Sequence, residues 1–128
     1  MTGRTAGIIG TGRIGLVTAK LFTAFGARVI AYSRSESGEA KRIGVEYVPL
    51  DTLIGDSDII SLHVPSTPAT KHLISAEKLV RMKPSALLIN CARGPVVDNA
   101  ALAEALTAGK IAGAGIDVFD TEPPLSQD

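Results

Sequence analysis

The sequence predicts an α/β fold, in which a doubly wound parallel sheet of about six strands carries helices on both faces within a single domain. Three observations predict it. Short apolar runs alternate with helical patterns along the chain. The apolar runs are continuous, as in strands that are buried on both faces. A glycine-rich turn follows the first run directly. Because crossovers between parallel strands are right-handed, the doubly wound order is the leading topology.

The first half of the chain contains the best-defined predicted helix. Residues 5–9 are an apolar run that predicts a buried strand, and a helix is predicted over residues 13–25, ended by Gly26. One apolar face of this helix is formed by Ile14, Val17, Leu21 and Phe25. The other elements predicted in this half are a strand at 27–32, a helix at 38–43, a strand at 45–48 and a helical turn or two at 50–54.

The second half repeats the alternation of strand and helix. Asp98 is the predicted N-cap of its last helix. The elements predicted here are a strand at 58–64, a helix at 75–82, a strand at 86–90, a helix at 99–108 and a strand of small residues at 111–116. Asp56 and Asp58 are predicted to be turn residues, and no metal site is expected because no His or Cys cluster accompanies them.

Composition excludes several classes of partner. The 128 residues contain 13 Lys plus Arg and 13 Asp plus Glu, which argues against a nucleic acid or a membrane surface as partner. One cysteine cannot form an internal disulfide, which fits a reducing cytoplasm. No apolar run reaches ~18 residues and no signal-like stretch is present, so we expect a cytoplasmic protein.

The segment Gly10-Thr-Gly-Arg-Ile-Gly15 has the spacing G-x-G-x-x-G between a predicted strand and a predicted helix. In such a turn Gly10 permits the tight bend, Gly12 lets a pyrophosphate approach the backbone, and Gly15 lets the helix pack closely on the strand. The helix start, including Arg13 and Ile14, offers free N–H groups to phosphates. The alternative is a glycine turn without a ligand. The context favours a dinucleotide site, which makes the predicted sheet a Rossmann fold.

The second predicted strand ends without a carboxylate in the segment Ala31-Tyr-Ser-Arg-Ser35. A carboxylate at this point would bind the ribose 2′-hydroxyl of NAD, whereas an Arg would accommodate the 2′-phosphate of NADP. Ser33 and Arg34 can cradle a 2′-phosphate, and Glu36 lies too far into the loop. The prediction is therefore NADP or dual use. The alternative is an exposed Arg beside a tolerant ribose pocket.

Three further segments carry a resemblance to a known family. They are His63-Val-Pro-Ser-Thr-Pro-Ala-Thr70, Asn90-Cys-Ala-Arg-Gly-Pro-Val-Val-Asp98 and Gly113-Ala-Gly-Ile-Asp-Val-Phe-Asp-Thr-Glu-Pro123. With them the chain resembles the cofactor domain of the D-isomer-specific 2-hydroxyacid dehydrogenases. The resemblance implies hydride transfer between a nicotinamide cofactor and C2 of a 2-oxo or 2-hydroxy acid. It also makes a homodimer through this domain plausible.

The resemblance assigns roles to individual residues. Arg93 would hold the substrate carboxylate and polarise the carbonyl oxygen, and Glu122 would pair with the acid/base His and raise its pKa. Asp117 would lie near the nicotinamide carboxamide. For Arg93 the alternative is a structural role with loop carbonyls, and for Asp117 a loop cap. The adenosine side would be lined by His63, Val64, Pro65 and Thr67. The wall of the cofactor site would include Cys91, Ala92 and Arg93, with Cys91 as an apolar residue rather than a nucleophile.

The sequence departs from the family pattern at two points. Ser33 stands where NAD-dependent members commonly carry Asp. The family's acid/base His lies well beyond the Glu, and neither His63 nor His72 occupies that position. We therefore expect residues 1–128 to be a dinucleotide-binding domain without its substrate domain, which binds cofactor and is inactive alone. The alternative is a stand-alone nucleotide-binding or interaction module.

Overall fold

The computed structural model describes residues 3–64, 68–90 and 94–116. Its strands are β1 (Thr5–Ile9), β2 (Arg28–Tyr32), β3 (Glu46–Tyr47), β4 (Ile59–Leu62), β5 (Leu87–Asn90) and β6 (Gly113–Ile116). Its helices are α1 (Arg13–Ala24), α2 (Gly38–Arg42), α3 (Leu50–Asp56), α4 (Ala76–Arg81) and α5 (Asn99–Thr107), with a short 3-10 helix at Gly94–Val96.

The strands form one parallel sheet in the order β3-β2-β1-β4-β5-β6. The chain runs outward from β1 to β3 on one side, crosses back, and runs outward again from β4 to β6. This is the doubly wound order, so the predicted fold class is confirmed. β1 pairs with both β2 and β4, and the order reverses between β1 and β4. Ligands of such sheets bind at this switch point, beyond the carboxyl ends of the strands.

The predicted elements are all present in the described residues, with ends that differ by one or two residues. The helix predicted over 13–25 ends at Ala24, and Gly26 follows it with φ of 88°, which confirms its role as a terminating glycine. Asp98 caps α5, because its side chain accepts a hydrogen bond from the Ala101 N–H at 3.2 Å. The sixth strand begins two residues later than predicted, and the 3-10 helix was not predicted.

The core has a layer on each face of the sheet. One layer lies under α1 and α2 and contains Ile8, Ala19, Val29, Ala31, Ala40 and Val45. The larger layer lies under α3, α4 and α5; among its members are Ile9, Ile30, Leu53, Ile60, Leu79, Leu88 and Leu102. Neighbouring residues Ile8 and Ile9 belong to opposite layers, as the alternation of side chains along a strand requires.

α1 packs on the sheet through two buried small residues, with the partly buried Leu16 and Phe22 beside them. Gly15 and Ala19 are buried, while the apolar face predicted from the sequence is exposed: Ile14 by 68%, Val17 by 52%, Leu21 by 56% and Phe25 by 67%. A Cβ at Gly15 would lie 2.0 Å from the Gly10 carbonyl oxygen, so the helix approaches the turn too closely for any side chain at this position. Apolar periodicity therefore predicted the helix correctly but did not identify its buried face.

Within the described residues, no helix combines the length and apolar character that a bilayer crossing requires. The expected cytoplasmic location rests on the sequence and stays a prediction.

Candidate cofactor site

The glycine turn begins where β1 ends. Gly10 has φ of 94°, a conformation that side chains disfavour, and its N–H donates to the Tyr32 carbonyl at 2.8 Å. A Cβ at Gly10 would lie 2.9 Å from the backbone carbonyl of His63. Gly10 is thus enclosed between the ends of β2 and β4, and only glycine fits there.

Gly12 faces open space. It is the N-cap residue of α1 with an ordinary φ of −71°, and a Cβ built on it would meet nothing within 4 Å. No side chain caps α1, whereas Ser37, Ser75 and Asp98 cap three of the other helices. The first intrahelical hydrogen bond runs from the Leu16 N–H to the Gly12 carbonyl at 2.8 Å, so the N–H groups of residues 13–15 have no acceptor within the helix. An uncapped helix start beside a bare backbone suits a pyrophosphate.

A cavity of about 370 Å³ adjoins this turn. It is lined by residues from the ends of β1, β2 and β4 and from the segment after β4: Gly10, Thr11, Gly12, Tyr32, Ser33, Arg34, His63, Val64, Ala69, Thr70 and Leu73. The structure therefore brings six of the predicted site residues together around one space. It adds Thr11, Tyr32, Ala69, Thr70 and Leu73, which sequence reasoning missed.

The added residues of the segment after β4 had no local signal in the sequence. Ile74 forms an isolated parallel bridge with Val97, and the His72 N–H donates to the Pro95 carbonyl at 2.8 Å. These contacts join parts of the chain more than twenty residues apart, so periodicity does not reveal them. Thr11 and Tyr32 did have a local signal, because each is adjacent in sequence to residues that were predicted to bind the cofactor.

His63 is held as part of the cavity wall. Its N–H donates to the Ile9 carbonyl at 2.8 Å, and its Nε2 lies 2.7 Å from the Ser61 hydroxyl. Burial lowers the pKa of the His63 imidazole below its usual value, so the ring is neutral at neutral pH. His72 is exposed, with φ of 51°. His63 is placed to shape the pocket, and His72 lies at the surface.

The end of the cavity at Ser33 and Arg34, where the ribose is predicted to bind, carries a cation and no carboxylate among its lining residues. The half-buried Ser33 accepts a hydrogen bond from the Thr11 N–H at 3.4 Å, and Arg34 is exposed. The Glu36 carboxylate is paired with the Lys41 ammonium of α2. The nearest acid is therefore engaged elsewhere, which leaves the Arg34 guanidinium as the charge at this end.

The remaining predicted site residues are not among the cavity lining. Gly15 is buried in the first turn of α1, where Arg13 and Ile14 lie exposed. β5 and β6 end at Asn90 and Ile116, at the same edge of the sheet as the glycine turn. Seven predicted residues lie outside the described part of the chain: Pro65, Thr67, Cys91, Ala92, Arg93, Asp117 and Glu122. Their roles stay predictions.

The strand order, the glycine turn, the uncapped helix start and the cavity at the switch point together define a dinucleotide-binding Rossmann domain. Comparison with protein families agrees with this class and identifies one family within it. The NAD-binding domain of the D-isomer specific 2-hydroxyacid dehydrogenases matches residues 1–128, and the chain belongs to that family.

Individual relatives are similar over most of this chain. The glyoxylate reductase of Thermococcus litoralis is 51% identical, with all of this chain and 39% of that protein aligned. The D-3-phosphoglycerate dehydrogenase of Mycobacterium tuberculosis is 48% identical over 94% of this chain and 23% of its own length. The D-lactate dehydrogenase of Aquifex aeolicus, solved with NAD and lactic acid, superimposes with a TM-score of 0.91 at 47% identity, covering 93% of this chain and 36% of that one. The chain thus spans well under half of these relatives.

Proposed function

We propose that this chain holds the nicotinamide cofactor of an oxidoreductase that interconverts 2-hydroxy and 2-oxo acids. The observation that carries the proposal is the bare Gly12 backbone at the uncapped start of α1, facing the cavity at the switch point. Its relatives include a glyoxylate reductase, a hydroxypyruvate reductase, a D-3-phosphoglycerate dehydrogenase and a D-lactate dehydrogenase. All these names describe chemistry at C2 of such an acid. Because the chain spans 39% of the glyoxylate reductase of Thermococcus litoralis, the reaction is proposed for the whole protein.

The chemistry divides between cofactor and protein. A bound nicotinamide supplies or accepts the hydride. In this proposal Arg93 binds the substrate carboxylate and polarises the carbonyl oxygen, while Glu122 raises the pKa of an acid/base His. Asp117 orients the carboxamide, and Cys91 and Ala92 form part of the wall.

The experiment for the proposed reaction is a steady-state assay of the whole protein with glyoxylate and hydroxypyruvate. Glu122→Gln should lower kcat by roughly a hundredfold and shift its pH profile, because the His loses the carboxylate that keeps it protonated. The affinity for NADH should stay unchanged. Full activity in Glu122→Gln would contradict the assigned role, and a whole protein inactive on every 2-oxo acid would contradict the proposed reaction.

We propose further that the 128 residues alone bind cofactor without turnover. Their two histidines are His63, engaged with Ser61 and the Ile9 carbonyl, and His72, exposed at the surface. In this proposal neither histidine acts as the acid/base group. Measurable reduction of hydroxypyruvate by the purified chain would show that another group supplies the proton.

The matching family model describes an NAD binding domain, and we propose that NADPH binds to this chain at least as well as NADH. The support is the Arg34 guanidinium and the Ser33 hydroxyl at the ribose end, where the cavity lining has no carboxylate. Parallel titrations with NADH and NADPH test this. Arg34→Ala should weaken NADPH about tenfold, since it removes charge-assisted hydrogen bonds, and should change NADH little.

Lys110→Ala is the matched control for Arg34→Ala. Lys110 is exposed and follows α5 at the opposite end of the sheet, so this variant changes the charge equally without touching the cavity. Equal losses of NADH and NADPH affinity in Arg34→Ala would remove Arg34 from 2′-phosphate recognition.

We also propose that two copies of the protein associate through α1. Ile14, Val17, Leu21 and Phe25 make a continuous apolar stripe on this helix, each more than half exposed. Stripes of this kind on a folded domain mark sites of association. A second copy would cover the stripe symmetrically, which is the arrangement of most soluble homodimers.

A further inference from the structure

Tyr47 stands between the two parts of the cofactor site without lining the cavity. It is the last residue of the edge strand β3, opposite Ala31 of β2. The end of β2 leads into residues 33–37, the ribose loop, which carries Ser33 and Arg34. Tyr47 therefore lies beside the base of that loop, one strand away from the glycine turn.

The Tyr47 hydroxyl joins the glycine turn to the far end of the ribose loop. It accepts a hydrogen bond from the Ser37 N–H at 2.8 Å and lies 2.7 Å from the Thr11 hydroxyl. Because the oxygen accepts from Ser37, its own proton is available to Thr11. Thr11 is buried, with 8% of its surface exposed, and the contact between the two hydroxyls is partly buried.

Two further hydrogen bonds extend the connection. The Thr11 N–H donates to the Ser33 hydroxyl at 3.4 Å, at the near end of the ribose loop. Ser37 is also the N-cap of α2, where its side chain accepts from the Ala40 N–H at 3.1 Å. Both ends of the loop are thus connected to Thr11. Ser33 bonds to Thr11 directly, and Ser37 is connected to Thr11 through the Tyr47 hydroxyl.

A dinucleotide must place its pyrophosphate on the glycine turn and its ribose against the loop at the same time. The separation of these two subsites therefore determines how well the 2′-substituent meets Arg34. We propose that Tyr47 is a positioning residue that fixes this separation and thereby contributes to discrimination between NADPH and NADH. The inference rests on the proposed cofactor-binding function and adds a residue that does not touch the cofactor.

The test is a double-mutant cycle on the full chain with Tyr47→Phe and Thr11→Val. Each variant removes one hydroxyl of the pair, and NADH and NADPH affinities are measured for both and for the double variant. Tyr47→Phe should lower the ratio of NADPH to NADH affinity about fivefold, since a loose loop costs the 2′-contact most. The double variant should be little worse than either single variant, because both break one connection.

Thr23→Val is the control, since the Thr23 hydroxyl bonds to the Ala19 carbonyl within α1, away from the cavity. It should leave the affinity ratio unchanged. A structural role alone would lower the midpoint of thermal unfolding and both affinities together. An unchanged ratio in Tyr47→Phe would therefore overturn the inference. Additive changes of the ratio in the cycle would also overturn it; the ratio is used because Thr11 lines the cavity and can affect both affinities directly. A wild-type chain that binds neither cofactor would overturn the proposed function. A wild-type preference for NADH would overturn only the proposed preference for NADPH. The role of Tyr47 would still be decided by whether Tyr47→Phe changes the ratio of the two affinities.

Discussion

Gly12 and Gly15 lie in the same turn but differ in what an added methyl group would meet. At Gly12 the methyl group would project into open space beside the cavity, and at Gly15 it would overlap the Gly10 carbonyl oxygen. The same substitution should therefore affect ligand binding at one position and folding at the other. This contrast tests the assignment of individual roles within the motif.

Gly12→Ala should keep the stability of the chain and weaken NADH binding by roughly tenfold or more, because the methyl group occupies the approach of the pyrophosphate. Gly15→Ala should lower the thermal midpoint strongly. Gly55→Ala in α3 is the control: its Cβ would have its nearest contact at 3.9 Å, so it should not affect binding. Thermal unfolding and NADH titration measure the two effects. Wild-type affinity in Gly12→Ala would show that phosphates bind elsewhere.

The sequence predicted residues whose role depends on the local backbone and missed those that act across the fold. The glycine turn was predicted because each of its three glycines, Gly10, Gly12 and Gly15, meets one backbone requirement of a strand-turn-helix unit. Tyr47 and Thr11 lie 36 positions apart, and their hydroxyl contact follows from the pairing of β3 with β2. A contact over this distance in the sequence cannot be predicted from local sequence patterns.

In α1 the apolar pattern predicted that a helix forms but did not predict which of its faces is buried. The spacing of its large apolar residues predicted a helix, and the helix is present. The side that packs on the sheet was set by the close approach at Gly15, a tertiary requirement. The exposed stripe that results is the basis of the proposed dimer.

Val17→Asp should convert a dimer of the wild-type chain to a monomer, because a carboxylate would be buried in an apolar interface without a partner. Val80→Asp is matched in chemistry, since Val80 of α4 is 58% exposed on the opposite face of the sheet. It should leave the dimer intact. Sedimentation equilibrium distinguishes the two variants. A wild-type chain that stays monomeric at high concentration would contradict the proposed interface.

Asp58 connects the amino ends of the strands. Its carboxylate accepts from the Thr5 N–H at 2.8 Å and lies 3.3 Å from the Lys83 ammonium, two contacts that were not predicted from the sequence. The Thr5 hydrogen bond, followed by the charge of Lys83, lowers the pKa of Asp58 below its ordinary value. A carboxyl with a lowered folded pKa stabilises the fold above its unfolded pKa of about 3.9, and loses this contribution as pH falls through the folded pKa.

Asp58→Asn should therefore cost about 1 kcal/mol of unfolding free energy at neutral pH and reduce the loss of stability below about pH 4. Asp56→Asn is the control, because Asp56 is exposed at the end of α3. Urea unfolding at a series of pH values gives both quantities. Equal stability of Asp58→Asn and the wild type at neutral pH would show that the carboxylate contributes nothing.

At the scale of the whole molecule, strand order places the site. Continuous apolar runs and right-handed crossovers left few topologies, and the doubly wound order brings the ends of β1, β2 and β4 to one edge. The location of the cavity was therefore predictable from the sequence. The preference between NADP and NAD stays a prediction. The ion pair between Glu36 and Lys41 was not predicted, because it depends on the course of a loop that the sequence does not define.

The central claim is that these residues form a dinucleotide site, and a fluorescence titration of the wild-type chain with NADH tests it most directly. We predict saturable binding accompanied by an increase in thermal midpoint, since a ligand that binds only the folded state stabilises it. A folded chain that shows neither saturation nor stabilisation up to millimolar NADH or NADPH would contradict the claim.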